Sequence, residues 1–223
     1  MTLSRKLAAE ALGTAFLLAA VIGSGIMGER LAGGDVALVL LVNSFATGCA
    51  LVALILAFAP ISGAHFNPVV TLVVALEHAL SWREAIAYAA VQILAAFAGV
   101  AAAHLMFGEP AFSASQRERA GPAQWWSEFV ATFGLVSIIT GCTRFRPHAI
   151  PYAVGAYIAA AYWFTASTSF ANPAVTLARA ASDTFAGIRP QDAPAFILAQ
   201  LAGALAAVWL FRWLLARSAH PGK

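Results

Sequence analysis

The chain has 223 residues, of which 61% are hydrophobic and 10% are charged, and its mean hydropathy is +0.79. This composition excludes an ordinary soluble domain and is typical of a protein that crosses a bilayer several times. The formal net charge of +3 is scattered along the chain, so nucleic acid is not an expected partner.

Six apolar runs approach or exceed the roughly 20 residues that a helix needs to cross a bilayer. In chain order they are Leu7–Gly28, Val36–Ala59, Trp82–Phe107, Ala123–Cys142, Ile150–Ser167 and Pro194–Leu215. We expect the first run to be a permanent span rather than a cleaved leader, because the fourth run is its internal counterpart. Two shorter apolar pieces, near His65–Leu76 and Phe170–Ala180, are too short to span and predict re-entrant half-helices.

Each short piece contains an Asn-Pro motif. The copies are Asn67-Pro68-Val69 and Asn172-Pro173-Ala174, and a Thr-Leu pair follows each after one residue. Asn is a strong N-cap, and Pro fits the first turn of a helix because its missing N–H has no helical partner there. An ordinary buried N-cap would explain one copy, but two copies in register favour a paired, broken-helix pore.

The two halves of the chain share a pattern. Glu10 in the first span and Gln92 in the third flank the first motif, as Glu128 in the fourth span and Gln200 in the sixth flank the second. The conserved order of Glu, Asn-Pro and Gln indicates an internal repeat.

The repeats extend over about 1–108 and 121–217. Three crossings in each repeat make the second enter from the opposite side, so the half-helix N-termini meet near the midplane. The sequence thus predicts an all-α membrane protein with six transmembrane helices, two re-entrant half-helices and one channel domain.

The distribution of Lys and Arg favours cytoplasmic termini. The basic residues that would then lie on the cytoplasmic side are Arg5, Lys6, Arg83, Arg144, Arg146, Arg212, Arg217 and Lys223.

Two facing half-helices have a predictable electrostatic effect. A helix N-terminus presents unpaired N–H groups and about half a positive charge. Two such ends at the membrane centre oppose cations and protons, while the Asn67 and Asn172 amides can donate to the oxygen of a neutral solute. This arrangement favours passive conduction of neutral hydroxylated molecules.

Several of these segments resemble a known family. The stretch from Ser62 to Thr71, Ser-Gly-Ala-His-Phe-Asn-Pro-Val-Val-Thr, and the stretch Phe170-Ala171-Asn172-Pro173-Ala174 are similar to the two signature loops of the aquaporin (major intrinsic protein) family. Glu10 and Glu128 match its paired helix glutamates. The resemblance implies the six-helix fold, a multi-pass protein of the cell membrane (the inner membrane of a bacterium), a homotetramer with one pore per subunit, and no cofactor.

The same resemblance places an outer selectivity filter on Thr47, Ala160, Ser169 and Val175. Val175 stands where the family usually has Arg, and Val69 stands where it usually has Ala. We therefore expect a wide, uncharged constriction that passes glycerol-like polyols, urea, neutral arsenic and other metalloid hydroxides, and water. This filter is similar to that of bacterial arsenic-associated aquaporin-like channels.

Other interpretations remain open. One alternative is a water-selective aquaporin, and another is a proton-coupled secondary transporter that uses Glu10 and Glu128. Their duplication beside the Asn-Pro loops favours a role in bracing those loops. His65 borders the inner pore and is either a pH gate or, as we expect, a neutral ring bonded to the loop. Arg179 either restores charge at the outer mouth or, as we expect, reaches water or pairs with Asp183.

The remaining residues indicate no catalytic chemistry. No clustered nucleophile and base, metal-ligand spacing or phosphate loop is found in the sequence, so we expect neither an enzyme nor a metal site. Cys49 and Cys142 are expected to be buried free thiols. Tyr157, Tyr162 and Trp163 lie deeper in their span and either flank the pore or, as we expect, pack against lipid or another subunit.

Overall fold

The computed structural model describes residues 1–216, which contain eight α-helices and no β-strand. The predicted inner-side residues Arg217 and Lys223 lie outside this range. The helices are α1 Leu3–Leu31, α2 Val36–Ser62, α3 Pro68–Leu76, α4 Trp82–Phe107, α5 Pro122–Phe145, α6 Ile150–Phe164, α7 Pro173–Arg179 and α8 Ala193–Leu214. Two 3₁₀ turns, Pro147–Ala149 and Pro190–Asp192, precede α6 and α8.

Five of the helices are long and apolar enough to cross a membrane on their own: α1, α2, α4, α5 and α8. Helix α6 has only 15 residues, because the chain becomes extended at Thr165 rather than continuing to Ser167 as predicted. Helix α6 and the preceding 3₁₀ turn together rise about 28 Å, close to the thickness of the hydrocarbon core. The fifth predicted span therefore reaches the required length only together with the 3₁₀ turn that precedes it.

The two halves are built alike. Helix α1 packs on α2 and α4, and helix α5 packs on α6 and α8. Helices α2 and α6 join the halves, and Gly48 and Gly155 face each other at this contact. A Cβ atom on Gly155 would lie 2.6 Å from the Gly48 carbonyl oxygen, so the absence of a side chain is what lets these backbones approach.

Large apolar side chains cover much of the outside, including Phe16, Phe45, Leu94, Leu198 and Trp209. Such a surface is unfavourable in water and suits a bilayer or a subunit contact. Cys49 is exposed and Cys142 is partly exposed on this outside, so the prediction that both thiols are buried was wrong. Cys49 follows Gly48, and the next residue on a helix is turned about 100° away from the contact.

Candidate functional site

Both half-helices begin at the Asn-Pro motifs. Asn67 and Asn172 have extended backbones, with φ of −155° and −159°, and each is followed by Pro at the first helical position. The Asn67 side-chain oxygen accepts a hydrogen bond from the Val69 N–H at 2.9 Å, and the Asn172 oxygen accepts from the Ala174 N–H at 3.0 Å. Each Asn is therefore the N-cap of a re-entrant helix.

The same two side chains connect the loops to each other. The Asn67 amide nitrogen donates to the Ala171 carbonyl at 2.8 Å, and the Asn172 amide donates to the Phe66 carbonyl at 2.8 Å. Since an amide nitrogen carries two hydrogens, each Asn keeps one N–H beyond this cross-link. The sequence-distant motifs are thus brought into direct contact.

The backbone before each Asn follows one unusual course. Ala64 and Phe66 in the first loop have φ of 51° and 49°, and Ser169 and Ala171 in the second have 50° and 49°. Left-handed residues alternating with ordinary ones turn successive N–H groups toward a common anion site. Both loops therefore present N–H groups that need an acceptor.

A buried carboxylate accepts those groups in each half. Glu10 accepts from the N–H groups of His65 and Phe66 at 3.0 and 2.7 Å, and from the hydroxyl of Ser62 at 2.7 Å. Its remaining bond comes from the Gln92 amide at 2.8 Å. The Glu10 side chain is fully buried.

Glu128 repeats this pattern in the second half. It accepts from the N–H groups of Phe170 and Ala171 at 2.8 and 2.9 Å, and from the Ser167 hydroxyl at 2.6 Å. The Gln200 amide donates to it at 2.6 Å. Two loops that lack helical partners are thus satisfied by carboxylates placed on the neighbouring long helices α1 and α5.

A cavity of about 230 Å³ runs between the halves, and both loops line it. On α3 it is lined by Val70 and Val74, and on α7 by Val175 and Arg179, at matching distances from the two Asn residues. Its walls on the long helices are largely apolar, formed by Leu17, Val21, Leu51, Ile55, Leu135, Ile139, Val154 and Ile158, with hydroxyl groups from Thr47, Thr143 and Tyr162. The cavity thus has mainly apolar walls, with polar loop groups concentrated where the two Asn-Pro motifs meet.

Most of the residues predicted to form the site meet at this cavity. Asn67, Asn172, Thr47, Ser169 and Val175 line it, and so does His65. The His65 Nδ1 lies 3.1 Å from the Thr71 hydroxyl, and its ring is tilted against Tyr88. Pro68, Val69, Pro173 and Ala174 are not among the lining residues; they form the first turns behind the Asn side chains.

The assignment of Ala160 to the filter was wrong. Ala160 is exposed on the outside of α6, whereas Val154, Ile158 and Tyr162 line the cavity. A residue two positions from Ile158 lies about 200° around the helix, on the opposite side. Sequence distance from the Asn residues therefore gave the approximate level of the filter along α6, but not which side of the helix faces the cavity.

Tyr162 was expected to face lipid or another subunit, and it faces the cavity instead. Only 3% of its surface is exposed, and its hydroxyl lies 3.2 Å from the Thr47 hydroxyl. Its spacing of four and eight residues from Ile158 and Val154 puts the three on one side of the helix, but the spacing does not tell which side faces inward. Those residues form one apolar face of α6.

Val69 packs away from the cavity. It is fully buried in an apolar cluster with Val73, Val136, Ala204 and Val208. The larger side chain thus fills space between α3 and the helices α5 and α8. It does not narrow the cavity directly.

The expectation that Arg179 reaches water or pairs with Asp183 was wrong. Arg179 is 1% exposed, lines the cavity, and donates from Nε to the Ala186 carbonyl. Its guanidinium carbon lies 3.4 Å from the centre of the Phe170 ring. The expected uncharged outer constriction therefore does not hold, because a cation lies one turn beyond Val175.

A second buried cation, Arg119, supports this end of the cavity and was not singled out in the sequence. It donates to the carbonyls of Gly187, Ser167 and Phe185 at 2.8, 3.0 and 3.3 Å. Its guanidinium carbon lies 5.0 Å from the Phe170 ring centre. Burial, followed by repulsion from Arg179 and Arg117, lowers the pKa of Arg119 to about 9, so it remains charged at neutral pH.

Comparison with known proteins identifies this architecture. The model of the major intrinsic protein family matches residues 1–147. The chain is 56% identical over 213 residues to the aquaglyceroporin AqpS of Rhizobium meliloti (strain 1021), covering 96% of this chain and 91% of that protein. It is 31% identical over 216 residues to the aquaporin NIP1-1 of Oryza sativa subsp. japonica, covering 93% of this chain and 73% of that protein.

The fold also matches a solved structure, the aquaglyceroporin from Plasmodium falciparum, with a TM-score of 0.77 and 19% identity. The match covers 96% of this chain and 98% of the other, so it extends over the whole helical arrangement. Together with the paired half-helices, these matches confirm the expected fold and family. The chain belongs to the major intrinsic protein family of membrane channels.

Proposed function

We propose that this protein is a passive channel for small neutral solutes: glycerol-like polyols, urea, neutral arsenic and other metalloid hydroxides, and water. The observation that carries the proposal is the meeting of two Asn-capped half-helix N-termini at one cavity. Two positive helix ends at the same point oppose cations, and the remaining Asn N–H groups can replace the hydrogen bonds of a dehydrated hydroxyl group.

The lining favours solutes larger than water. Val175 and the apolar walls set the outer part of the cavity, while Ser169 and the Thr47–Tyr162 pair supply hydroxyl groups. An apolar wall opposite a few polar groups suits a molecule with a carbon side and a hydroxyl side. The name of the aquaglyceroporin of Rhizobium meliloti points to the same class of solute.

The proposed setting rests on the family resemblance and on the distribution of Lys and Arg. We place the protein in the cell membrane, the inner membrane of a bacterium, with both termini cytoplasmic and repeats over about 1–108 and 121–217. We further propose a homotetramer in which each subunit holds its own pore. The broad exposed apolar surface, which includes Cys49 and Phe45, is consistent with contacts to lipid and to other subunits.

Proton coupling through the buried glutamates is the less favoured mechanism. Both carboxylates are fully buried, lie behind the loops rather than on the cavity, and accept bonds from two loop N–H groups each. Protonation would replace an acceptor by a donor facing those N–H groups. We therefore assign Glu10 and Glu128 to loop bracing.

The test is solute flux in proteoliposomes. We expect purified protein to speed glycerol, urea and arsenite equilibration, with no accumulation against a gradient when a proton gradient is imposed. Vesicles that pass water but exclude glycerol and arsenite would support a water-selective pore. Gradient-driven accumulation would support the transporter instead.

A further inference from the structure

The two half-helices line opposite halves of the cavity with different side chains. On α3, Val70 and Val74 line the inner half, at three and seven residues after Asn67. On α7, Val175 and Arg179 line the outer half at the same positions after Asn172. Both lining positions of the first half-helix are thus apolar, whereas the second half-helix carries a cation at its outer one. The side chain at 175 sets the width there without carrying charge.

Arg179 is fixed in place and still has an unused donor. Its Nε donates to the Ala186 carbonyl, and its guanidinium plane lies against Phe170. Within residues 1–216, its Nη2 group is buried and has no hydrogen-bond partner. A buried guanidinium nitrogen without a partner is costly, and the cavity that Arg179 lines is where a solute oxygen could satisfy it.

Within residues 1–216, the Arg179 guanidinium forms no salt bridge, so no direct carboxylate contact neutralises its charge. Arg119 lies on the same Phe170 ring, and its donors are taken by loop carbonyls. The nearby carboxylate, Glu128, accepts from Phe170, Ala171, Ser167 and Gln200, and forms no ion pair with Arg179. Two further carboxylates near this segment are also occupied: Glu29 accepts from the Phe185 N–H, and Asp192 accepts from the Arg119 N–H and pairs with Arg189.

We propose that Arg179 determines charge selectivity in the outer half of the channel, rejecting protons and monovalent cations while donating to oxygens of neutral solutes. This rests on the channel function proposed above. Charge exclusion and pore width are then set by different residues, Arg179 and Val175. A wide pore can in this way remain closed to ions.

The experiment compares wild-type protein with Arg179→Gln and Arg179→Met in proteoliposomes. Glycerol flux is measured by light scattering, and proton and Na⁺ leak by entrapped dyes under an imposed membrane potential. Because removing a fixed charge from a low-dielectric path affects ions far more than neutral molecules, we expect leak to rise about tenfold or more. Glycerol flux should stay within about threefold of wild type, because the lining width at Val175 is unchanged.

The matched control is Arg117→Gln. Arg117 is an exposed cation in the segment between α4 and α5 that also carries Arg119. It stacks on Phe185 rather than lining the cavity, so its loss should leave leak and flux unchanged. The proposal would be overturned if Arg117→Gln raised proton and Na⁺ leak as much as the Arg179 variants do. It would also be overturned if assembled Arg179 variants leaked no more than wild type. Two Arg179 variants are used so that one failure to assemble leaves the comparison intact. Wild-type protein that conducts no glycerol would contradict the channel function itself, before any variant is compared.

Discussion

The two Asn-Pro loops have one scaffold and different surroundings. Each loop is held by a buried glutamate, contains three residues of positive φ, and ends in an Asn that bonds to the other loop. The first faces the cavity with His65 and an apolar half-helix, whereas the second lies beside Arg179, Arg119 and Phe170.

The comparison teaches where variation is tolerated in this fold. The groups that satisfy buried N–H donors are the same in both halves, because any loop of this shape needs an acceptor for them. The side chains that face the cavity do not have to accept bonds from these N–H groups, and at those positions the two halves differ. Scaffold and selectivity can thus be tested separately.

The largest expected effect is the loss of either carboxylate. Glu10→Gln and Glu128→Gln each replace an acceptor of four bonds with an amide that sets a donor against buried N–H groups. We expect each to lower the free energy of unfolding by about 3 kcal/mol or more. Thermal unfolding in detergent measures this. A clearly smaller loss of unfolding free energy for one of the two variants would show that the two carboxylates do not support their loops equally.

The next effect is the removal of the cross-link between the loops. Asn67→Ala and Asn172→Ala each lose an N-cap and one inter-loop hydrogen bond, a loss of about 2 kcal/mol of unfolding free energy. Solute flux should fall in both, since the fixed donors at the meeting point are lost. Denaturation and vesicle flux check the two expectations, and normal flux in an assembled variant would contradict the role of the amides.

A pair of equal deletions should separate packing from permeation. Val69→Ala removes two methyl groups from a buried cluster and should cost about 2 kcal/mol of stability without changing flux. Val175→Ala removes the same atoms from the cavity lining, so it should cost less stability and raise the flux of bulky polyols. Unfolding temperature and the ratio of erythritol to glycerol flux measure the contrast. An altered solute ratio in Val69→Ala would show that Val69 acts on the pore.

The smallest effect is expected at the inner end of α3. Arg212 donates to the Leu76 carbonyl at 2.8 Å and to Glu77 at 2.9 Å, but its side chain is 55% exposed. Arg212→Ala should therefore cost only about 0.5 kcal/mol of unfolding free energy, and less in high salt. Thermal unfolding at two salt concentrations tests it. A loss several times larger would indicate that this half-helix depends on its end contact.

The helices and the Asn-Pro starts were predictable from the sequence, because span length, N-cap and Pro preferences are local properties. The position of Arg179 was predicted only in part. Its spacing of four residues from Val175 put it on the correct face of the half-helix. Its burial depends on the segment around Ala186, only seven residues later, turning back over it. That loop conformation is not encoded by apolar spacing or by helix preferences.

Helix rotation was the other property that the sequence left undetermined. Ala160 and Tyr162 are neighbours in an almost wholly apolar helix, so hydrophobic periodicity gives no strong preference for which of them faces inward. In a bilayer both faces of a helix can be apolar, and the rotation is set by close packing, here at Gly48 and Gly155. The inward position of Tyr162 on α6 was missed for this reason.

The reciprocal bonds of Asn67 and Asn172 limit how this protein can be regulated. Each amide holds a backbone carbonyl of the opposite loop, so neither loop can shift alone without breaking buried hydrogen bonds on both sides. A gate that worked by moving the central backbone would have to disrupt these links and the carboxylate contacts together. Control of opening, where it exists, therefore belongs to mobile side chains or segments at the two entrances.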